Sequence, residues 1–237
     1  MKYVIAVLLF GTTLMHKSAS GEEDHVYQCP LTSKHDDTSY KQNGVIINFH
    51  PGSDYEEHPA LNNERAACEA FKLGLKYGPN KHSRNEASKL PHWAHRYAEI
   101  VDKAPHEETR NGASEDPEWA KHYAVTIDLG PHDVTRDGAS KDPTIAFLYA
   151  KNLDKGPHIV TRTGASMKPT FAVEYAREID KVPHDITRTG ASKTPATSLL
   201  YARDVDRAFS EETMDGACFE VTSQWCIEYK IIFDIDQ

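Results

Sequence analysis

The sequence predicts an all-α fold: an α-solenoid of 26-residue helical hairpins with small, strand-containing, disulfide-linked ends. Three observations predict it. A 26-residue pattern recurs without an insertion, its apolar residues follow helical spacing, and only 39% of the 237 residues are hydrophobic. A typical globular domain is about 45–50% apolar. The core should therefore be a thin seam between stacked helices.

The repeat has the consensus PHxxTRxGASxxPxxAxxYAxxxDxx, with x for any residue. Four full copies begin at Pro105, Pro131, Pro157 and Pro183. Degenerate copies carry the register outward to about residue 61 and about residue 228, as expected of the terminal units of a repeat array. We expect a core seam formed by the tyrosines of the Tyr-Ala pairs: Tyr97, Tyr123, Tyr149, Tyr175 and Tyr201.

The second half of each copy has the pattern of a short amphipathic helix. Alanine, tyrosine, alanine and isoleucine lie at i, i+3, i+4 and i+7 in the first full copy, on one helical face. The predicted N-caps, each followed by proline at the first helical position, are Asp116, Asp142 and Thr194. Gly130 and Gly156 fit the left-handed residue that ends a helix.

The first half of each copy predicts another short helix. It carries a Gly-Ala pair, such as Gly138 and Ala139. Glycine lowers helix propensity, but two small residues let neighbouring helices approach closely. A strand is not indicated, because no period-two alternation occurs in these stretches.

The organisation along the chain is predicted as follows. Residues 1–20 read as a secretory signal peptide, with a positive charge at Lys2, an apolar run over 4–10 and small residues before Gly21. Residues 21–60 form an N-terminal cap with a strand around residues 45–47. The repeat array spans 61–208, and residues 209–237 form a C-terminal cap with a strand around residues 231–233.

The four cysteines lie on both sides of the array, with none between residues 69 and 217. An even number in an exported chain indicates disulfides, for which three connectivities exist. Their placement favours Cys29 with Cys68 and Cys218 with Cys226. With the signal peptide, they predict a secreted, extracellular protein.

The units resemble families of short helical tandem repeats with PxxAxxYAxxxxKG-type units, found in uncharacterised bacterial and phage proteins. The resemblance covers roughly residues 79–208 and depends on the Pro, Ala, Tyr-Ala and Lys-Gly positions. It implies a stacked helical fold and no particular activity.

Composition excludes two classes of protein. The chain has 27 basic and 36 acidic residues and a net charge of −9, whereas nucleic-acid binding requires clustered lysine and arginine. No apolar run approaches the roughly 20 residues of a membrane-spanning helix. We therefore expect neither a nucleic-acid partner nor a membrane span.

Two residue types recur once per unit and form what we call the repeat ladder. Its members are His106, His132, His158, His184, Arg110, Arg136, Arg162 and Arg188. Histidines on helices about 8–10 Å apart cannot share a zinc ion, which needs ligands at about 2.0–2.1 Å, so we expect local bonds and no metal or other cofactor.

The arginines are expected to pair with aspartates and tie neighbouring helices together, Arg110 with Asp102 and Arg136 with Asp128. A repeated anion-binding or glycan-binding surface is the alternative. No catalytic residues are predicted, because the nucleophile elbow and the phosphate-binding glycine loop are both absent.

Two functional hypotheses remain open, and an enzyme is not expected. The first is a secreted scaffold or binding protein that acts on a protein or glycan partner. The second is a self-assembling filament subunit joined through its terminal strands. Asp-x-x-x-His spacing in each unit also suggests that mild acid, which charges histidines, favours association.

Overall fold

A computed structural model describes Cys29, residues 40–42, residues 45–47 and residues 59–235. The predicted signal peptide and most of the predicted N-terminal cap lie outside these described residues. Within them, strands β1 (Tyr40–Gln42) and β2 (Val45–Ile47) pair antiparallel. All the other regular elements of the described part are helices.

A 19-residue helix, α1 (Pro59–Tyr77), begins the helical part. Six units, numbered 1 to 6, follow it, and each is a pair of short helices: α2 (Lys81–Ala87) with α3 (Pro91–Arg96), α4 (Glu107–Ala113) with α5 (Pro117–Thr126), α6 (Asp133–Ala139) with α7 (Pro143–Tyr149), α8 (Ile159–Ala165) with α9 (Pro169–Tyr175), α10 (Asp185–Ala191) with α11 (Pro195–Tyr201), and α12 (Glu211–Ala217) with α13 (Gln224–Ile232). The first helices stack as one layer and the second helices as another. The predicted all-α array of packed helix pairs is confirmed.

The second helices begin mostly as predicted. Asp142 Oδ1 accepts hydrogen bonds from the backbone N–H groups of Thr144 and Ile145 at 2.8 and 3.0 Å, and Asp116 caps α5 in the same way. Thr194 is the N-cap residue of α11, as predicted, but its hydroxyl bonds the Thr197 hydroxyl at 2.6 Å and makes no capping bond to the helix backbone.

The second helices end differently from the prediction. In units 1, 3, 4 and 5 the last turn widens into a π-helix, at Tyr97–Asp102, Ala150–Asp154, Ala176–Asp180 and Ala202–Asp206. The left-handed residue is then Leu129 in unit 2 and Lys155 in unit 3, with φ of 56° and 54°. The prediction that Gly130 and Gly156 are the left-handed residues is wrong by one position, because the left-handed residue precedes each glycine.

The seam between units is made of alanine and tyrosine. One cluster joins Ala120 and Ala124 of unit 2 to Ala139, Ile145 and Tyr149 of unit 3, and Tyr149 is fully buried. The glycine of each Gly-Ala-Ser motif lets the first helix of a unit lie close to the backbone of the preceding unit. A Cβ on Gly164 would lie 2.5 Å from the Ser140 carbonyl oxygen of the preceding unit.

Disulfides Cys29–Cys68 and Cys218–Cys226 join the pairs that their placement favours, and no cysteine is free.

The C-terminal strand predicted around residues 231–233 is wrong, because Gln224–Ile232 is helical. Helical spacing buries both Cys226, which is bonded to Cys218, and Tyr229, which packs against Leu199 and Ala202 of unit 5. This packing outweighs the strand preference of the Ile-Ile-Phe sequence, since β-propensity depends strongly on context.

Candidate binding surfaces

The repeat tyrosines and threonines meet inside each hairpin. Tyr149 Oη lies 2.9 Å from Thr135 Oγ1 and accepts a hydrogen bond from the backbone N–H of His132 at 3.0 Å. Equivalent bonds occur in units 2, 4 and 5. Burial raises the pKa of Tyr149, and the Thr135 hydrogen bond offsets part of that rise. The hydroxyl therefore stays protonated and has a structural task.

Each repeat arginine binds the aspartate that ends its own unit. Arg162 Nη2 lies 2.7 Å from Asp180 Oδ1, and Arg162 Nε lies 3.1 and 3.0 Å from the two carboxylate oxygens. The guanidinium also lies 5.8 Å from the ring centroid of Tyr175. The Asp180 hydrogen bonds raise the pKa of Arg162. This pair is almost buried, with side-chain exposures of 12% and 1%.

The pairing of Arg110 with Asp102 expected from the sequence is wrong. Arg110 bonds Asp128 at 2.6 Å, and Asp102 bonds Arg84; Arg136 bonds Asp154 rather than Asp128. The two helices of a hairpin bring the arginine of the first beside the end of the second. The aspartates that lie four residues before the repeat histidines therefore each bind an arginine of their own unit.

The repeat histidines begin the first helices. His132, His158 and His184 are N-cap residues, and the Nδ1 atom of each accepts from the backbone N–H two residues later at 3.2, 3.3 and 3.2 Å. His106 instead places Nδ1 against the Glu108 carboxylate. Because each histidine is itself the N-cap, the preceding proline lies outside the helix. The ladder side chains thus bond within their own units.

A different group of rings occurs once, on the second helices of units 1 and 2. We call it the His–Trp cluster, and its members are His92, Trp93, His95, Trp119 and His122. Successive ring centroids lie 5.4–6.5 Å apart, which is within the usual range for aromatic contacts. The rings join unit 1 to unit 2 by a continuous side-chain contact.

Glu64 of α1 anchors one end of the His–Trp cluster. Its Oε1 accepts from Trp93 Nε1 at 2.7 Å and lies 3.1 Å from His92 Nε2. Burial by itself raises the pKa of Glu64, but the hydrogen bonds from His92 and Trp93 keep that pKa below its ordinary value. The carboxylate is therefore ionised and fixes both rings.

His95 lies at the buried side of the cluster. Its Nε2 is 2.8 Å from Thr126 Oγ1, whose own proton is donated to the His122 carbonyl at 2.9 Å. Nε2 therefore carries a proton and donates it, which leaves Nδ1 facing Glu99 at 3.8 Å. Burial lowers the pKa of His95, and His122 lowers it further while Glu99 opposes the shift.

The other side of the cluster is open to solvent. His122 is exposed, Trp119 is half-buried, and His92 keeps 28% of its side chain accessible. Tryptophan is among the residues that most often dominate binding energy at protein interfaces. This surface combines indole faces with hydrogen-bonding imidazoles, which can donate or accept.

Sequence reasoning missed the His–Trp cluster because its members occupy variable repeat positions. The signal was a departure from the pattern: HWAHR and EWAKH follow Pro91 and Pro117, where later units carry TIAFL, TFAVE and ATSLL. Only the stacking of units brings these variable positions together. Among the described residues, no group of three or more histidine, cysteine, aspartate or glutamate side chains could hold a metal ion.

Within the described part of the chain, the helices are all too short or too polar to cross a membrane. Comparison of the chain with protein-family models, with curated proteins and with solved structures found no match.

Proposed function

We propose that this chain is a secreted helical-repeat scaffold that binds a partner protein through the His–Trp cluster. One observation carries the proposal. The side chains that recur in every unit are used in contacts within a unit or between neighbouring units. The partly exposed Trp119 and His122, in contrast, lie at positions where the units differ. In a solenoid, such differences on an outer face are available for recognition, because stacking does not require them.

Rigidity supports the same proposal. Glu64 holds His92 and Trp93, and Thr126 holds His95, so the rings are positioned before a partner arrives. A surface that is already ordered loses less conformational entropy on binding. Two disulfides and an amino-terminal signal-like sequence support secretion, for which we expect cleavage before Gly21.

The test is capture of a partner from the extracellular fluid of the source by immobilised protein, quantified by mass spectrometry. A Trp119→Ala/His122→Ala variant removes the open side of the cluster. The matched control, Phe171→Ala/Glu174→Ala, changes the equivalent positions two units further along.

We expect a captured protein that is depleted at least tenfold with the cluster variant and retained with the control. Circular dichroism must show that both variants keep the helical fold. Equal capture by both variants, capture of glycan chains stripped of protein, or no capture would each contradict the proposal.

A further inference from the structure

Each of units 1 to 5 closes its second helix with a residue other than glycine in the left-handed region. We call these residues the left-handed row, and they are Lys103, Leu129, Lys155, Lys181 and Arg207, with φ between 53° and 59°. All of them are exposed. Because left-handed backbone costs free energy for a residue with a Cβ, helices usually place glycine or asparagine here. Strained backbone of this kind is concentrated at functional sites.

The charge at a helix C-terminus explains only part of this choice. An exposed cation there interacts favourably with the helix dipole, but it gains less than the left-handed backbone costs. Leu129 carries no charge and is 81% exposed. In units 2 and 3 glycine occupies the very next position, at Gly130 and Gly156, where a Cβ would meet no atom within 4 Å. The side chains of the row therefore have a use that the backbone does not explain.

Three successive members of the row present unpaired positive charges: Lys155, Lys181 and Arg207. Within the described part of the chain, no carboxylate forms an ion pair with any of them. The aspartate immediately before each one is nearly buried and binds the repeat arginine of its own unit, as Asp180 binds Arg162. The row therefore offers its charges to an external anion.

A second row of exposed cations lies four residues earlier in the same three units, at Lys151, Arg177 and Arg203. Lys151 Nζ lies 2.6 Å from Glu178 Oε2 of unit 4, and Arg177 and Arg203 share Asp204 of unit 5. Glu228 of unit 6 lies near Arg203 as well. The contacts between units hold successive rungs in register. They also engage Glu178 and Asp204, which would otherwise attract the left-handed row.

Both rows change character in unit 2. Their members there are Val125 and Leu129, which are 49% and 81% exposed. These apolar side chains lie one rung before the cations of unit 3, so an apolar step precedes three basic rungs. A ligand that fits this surface carries an apolar group together with a series of anionic groups. That combination favours a protein segment over a nucleic acid or a polysaccharide.

The spacing of the rungs sets the spacing of the ligand's charges. Neighbouring packed helices lie about 8–10 Å apart. A polyproline II segment rises about 3.1 Å per residue with three residues per turn, so every third side chain lies on one side, about 9 Å from the last. Side chains on one face of a β-strand recur at only about 7 Å, and phosphates of one DNA strand at about 3.4 Å. The rungs fit an extended segment with an acidic residue at every third position.

We propose that the left-handed row binds an extended acidic segment of a partner protein, with one apolar and three acidic residues at three-residue intervals. The carboxylates pair with Lys155, Lys181 and Arg207, and the apolar side chain packs on Val125 and Leu129. An exposed ion pair is weak by itself, so binding requires the three rungs together and depends on their register. This surface shares no residue with the His–Trp cluster and goes beyond the function proposed for it.

Two synthetic peptides of identical composition test the spacing by fluorescence polarisation. In the spaced peptide, a leucine and three glutamates stand at every third position with prolines between them. In the clustered peptide, the three glutamates are adjacent. Each is made in both chain directions. The spaced peptide should bind in one direction at least fivefold more tightly than the clustered peptide, and added salt should weaken it, because exposed charges are screened.

Lys155→Gly/Lys181→Gly should weaken binding of the spaced peptide at least tenfold. Unfolding cannot account for that loss if the melting temperature is unchanged or higher, as we expect when glycine relieves the left-handed backbone. Lys155→Arg/Lys181→Arg keeps both charges and should retain binding. The matched control, Lys89→Gln/Lys168→Gln, removes two exposed lysines near the starts of second helices, at their opposite end, and should also retain binding.

Trp119→Ala/His122→Ala should bind the spaced peptide as the wild type does, so failure of this proposal and failure of the His–Trp cluster are distinguishable. Equal binding of the two peptides, no loss with the glycine variant, or an equal loss with the Lys89/Lys168 control or the Trp119/His122 variant would overturn the proposal. Tighter binding of single-stranded DNA or of a sulfated polysaccharide than of the spaced peptide would overturn it as well.

Discussion

The hydroxyl of Tyr149 meets the hydroxyl of Thr135 at 2.9 Å in the interior of unit 3. The same Tyr149 oxygen accepts the backbone N–H of His132. Tyrosine thus ties the second helix of the unit to the start of the first helix. The contact explains why a thin core needs tyrosine rather than phenylalanine.

Tyr149→Phe should lower the free energy of unfolding by about 1–3 kcal/mol, because a buried N–H and a buried hydroxyl lose a partner. Tyr149→Ala should cost more, about 3–5 kcal/mol, because the ring is also lost. Urea unfolding followed by circular dichroism measures both. Tyr77→Phe, at a side chain that is 69% exposed, should change stability by less than about 0.5 kcal/mol. Equal midpoints for Tyr149→Phe and the wild type would mean that the hydroxyl contacts are not stabilising.

Asp180→Asn should destabilise the array by about 1.5–3 kcal/mol, because the nearly buried Arg162 keeps its charge and loses its partner. The double variant Arg162→Met/Asp180→Leu should cost less than Asp180→Asn alone, since it removes both charges. Thermal unfolding compares them. For contrast, Glu178→Gln breaks the exposed Lys151–Glu178 pair and should cost about 0–1 kcal/mol. A double variant less stable than Asp180→Asn would contradict this account of the pair.

Gly164→Ala should destabilise by about 1–3 kcal/mol, because its Cβ would lie 2.5 Å from the Ser140 carbonyl oxygen and push units 3 and 4 apart. Gly156→Ala is a matched control eight residues away, where a Cβ meets no atom within 4 Å. It should be neutral or stabilising by up to about 1 kcal/mol. Chemical denaturation of the two variants side by side decides the matter. The reverse order of stability would show that the units do not approach closely at Gly164.

Lys181→Gly should stabilise the protein by about 0.5–1 kcal/mol. Lys181 has φ of 59°, and a side chain in the left-handed region costs about 1–2 kcal/mol, more than the backbone entropy that glycine adds in the unfolded chain. Glu174→Gly, at an exposed helical position seven residues earlier, should instead destabilise by about 0.5–1 kcal/mol. If the melting temperatures of both variants shifted in the same direction, the left-handed backbone at Lys181 would not be strained.

Stability should fall as the pH is lowered below about 6.5, the ordinary pKa of histidine. Burial lowers the pKa of His95 in the folded protein, so the unfolded chain binds more protons between the two pKa values and acid favours unfolding. His95→Leu, which carries the residue found at the equivalent Leu199, should flatten the fall in melting temperature between pH 7.5 and 5. His82→Gln, at an exposed histidine, should leave the slope unchanged. If the melting temperatures of the wild type and His95→Leu fell in parallel with pH, His95 would not be the cause of the pH dependence.

The repeat determined most of the fold from the sequence alone. The 26-residue register, the helical spacing around Tyr149 and the prolines at the starts of the second helices specify paired helices and their buried face, because these are local signals repeated in every unit. The cysteine placement likewise favoured the pairs that the structure joins. The histidine ladder was expected to make local bonds, and its side chains bond inside their own units.

Only the tertiary structure decided which residues meet across helices. Arg110 binds Asp128 rather than Asp102 because the hairpin geometry, not proximity along the chain, sets the partner. Gln224–Ile232 is a helix despite its β-branched residues, because helical spacing lets Tyr229 pack against unit 5 while Cys226 bonds Cys218. The His–Trp cluster lies at variable positions of separate units, so it exists only once the units stack. Repeated local preferences fix a solenoid, whereas its distinctive surfaces depend on contacts that no single unit contains.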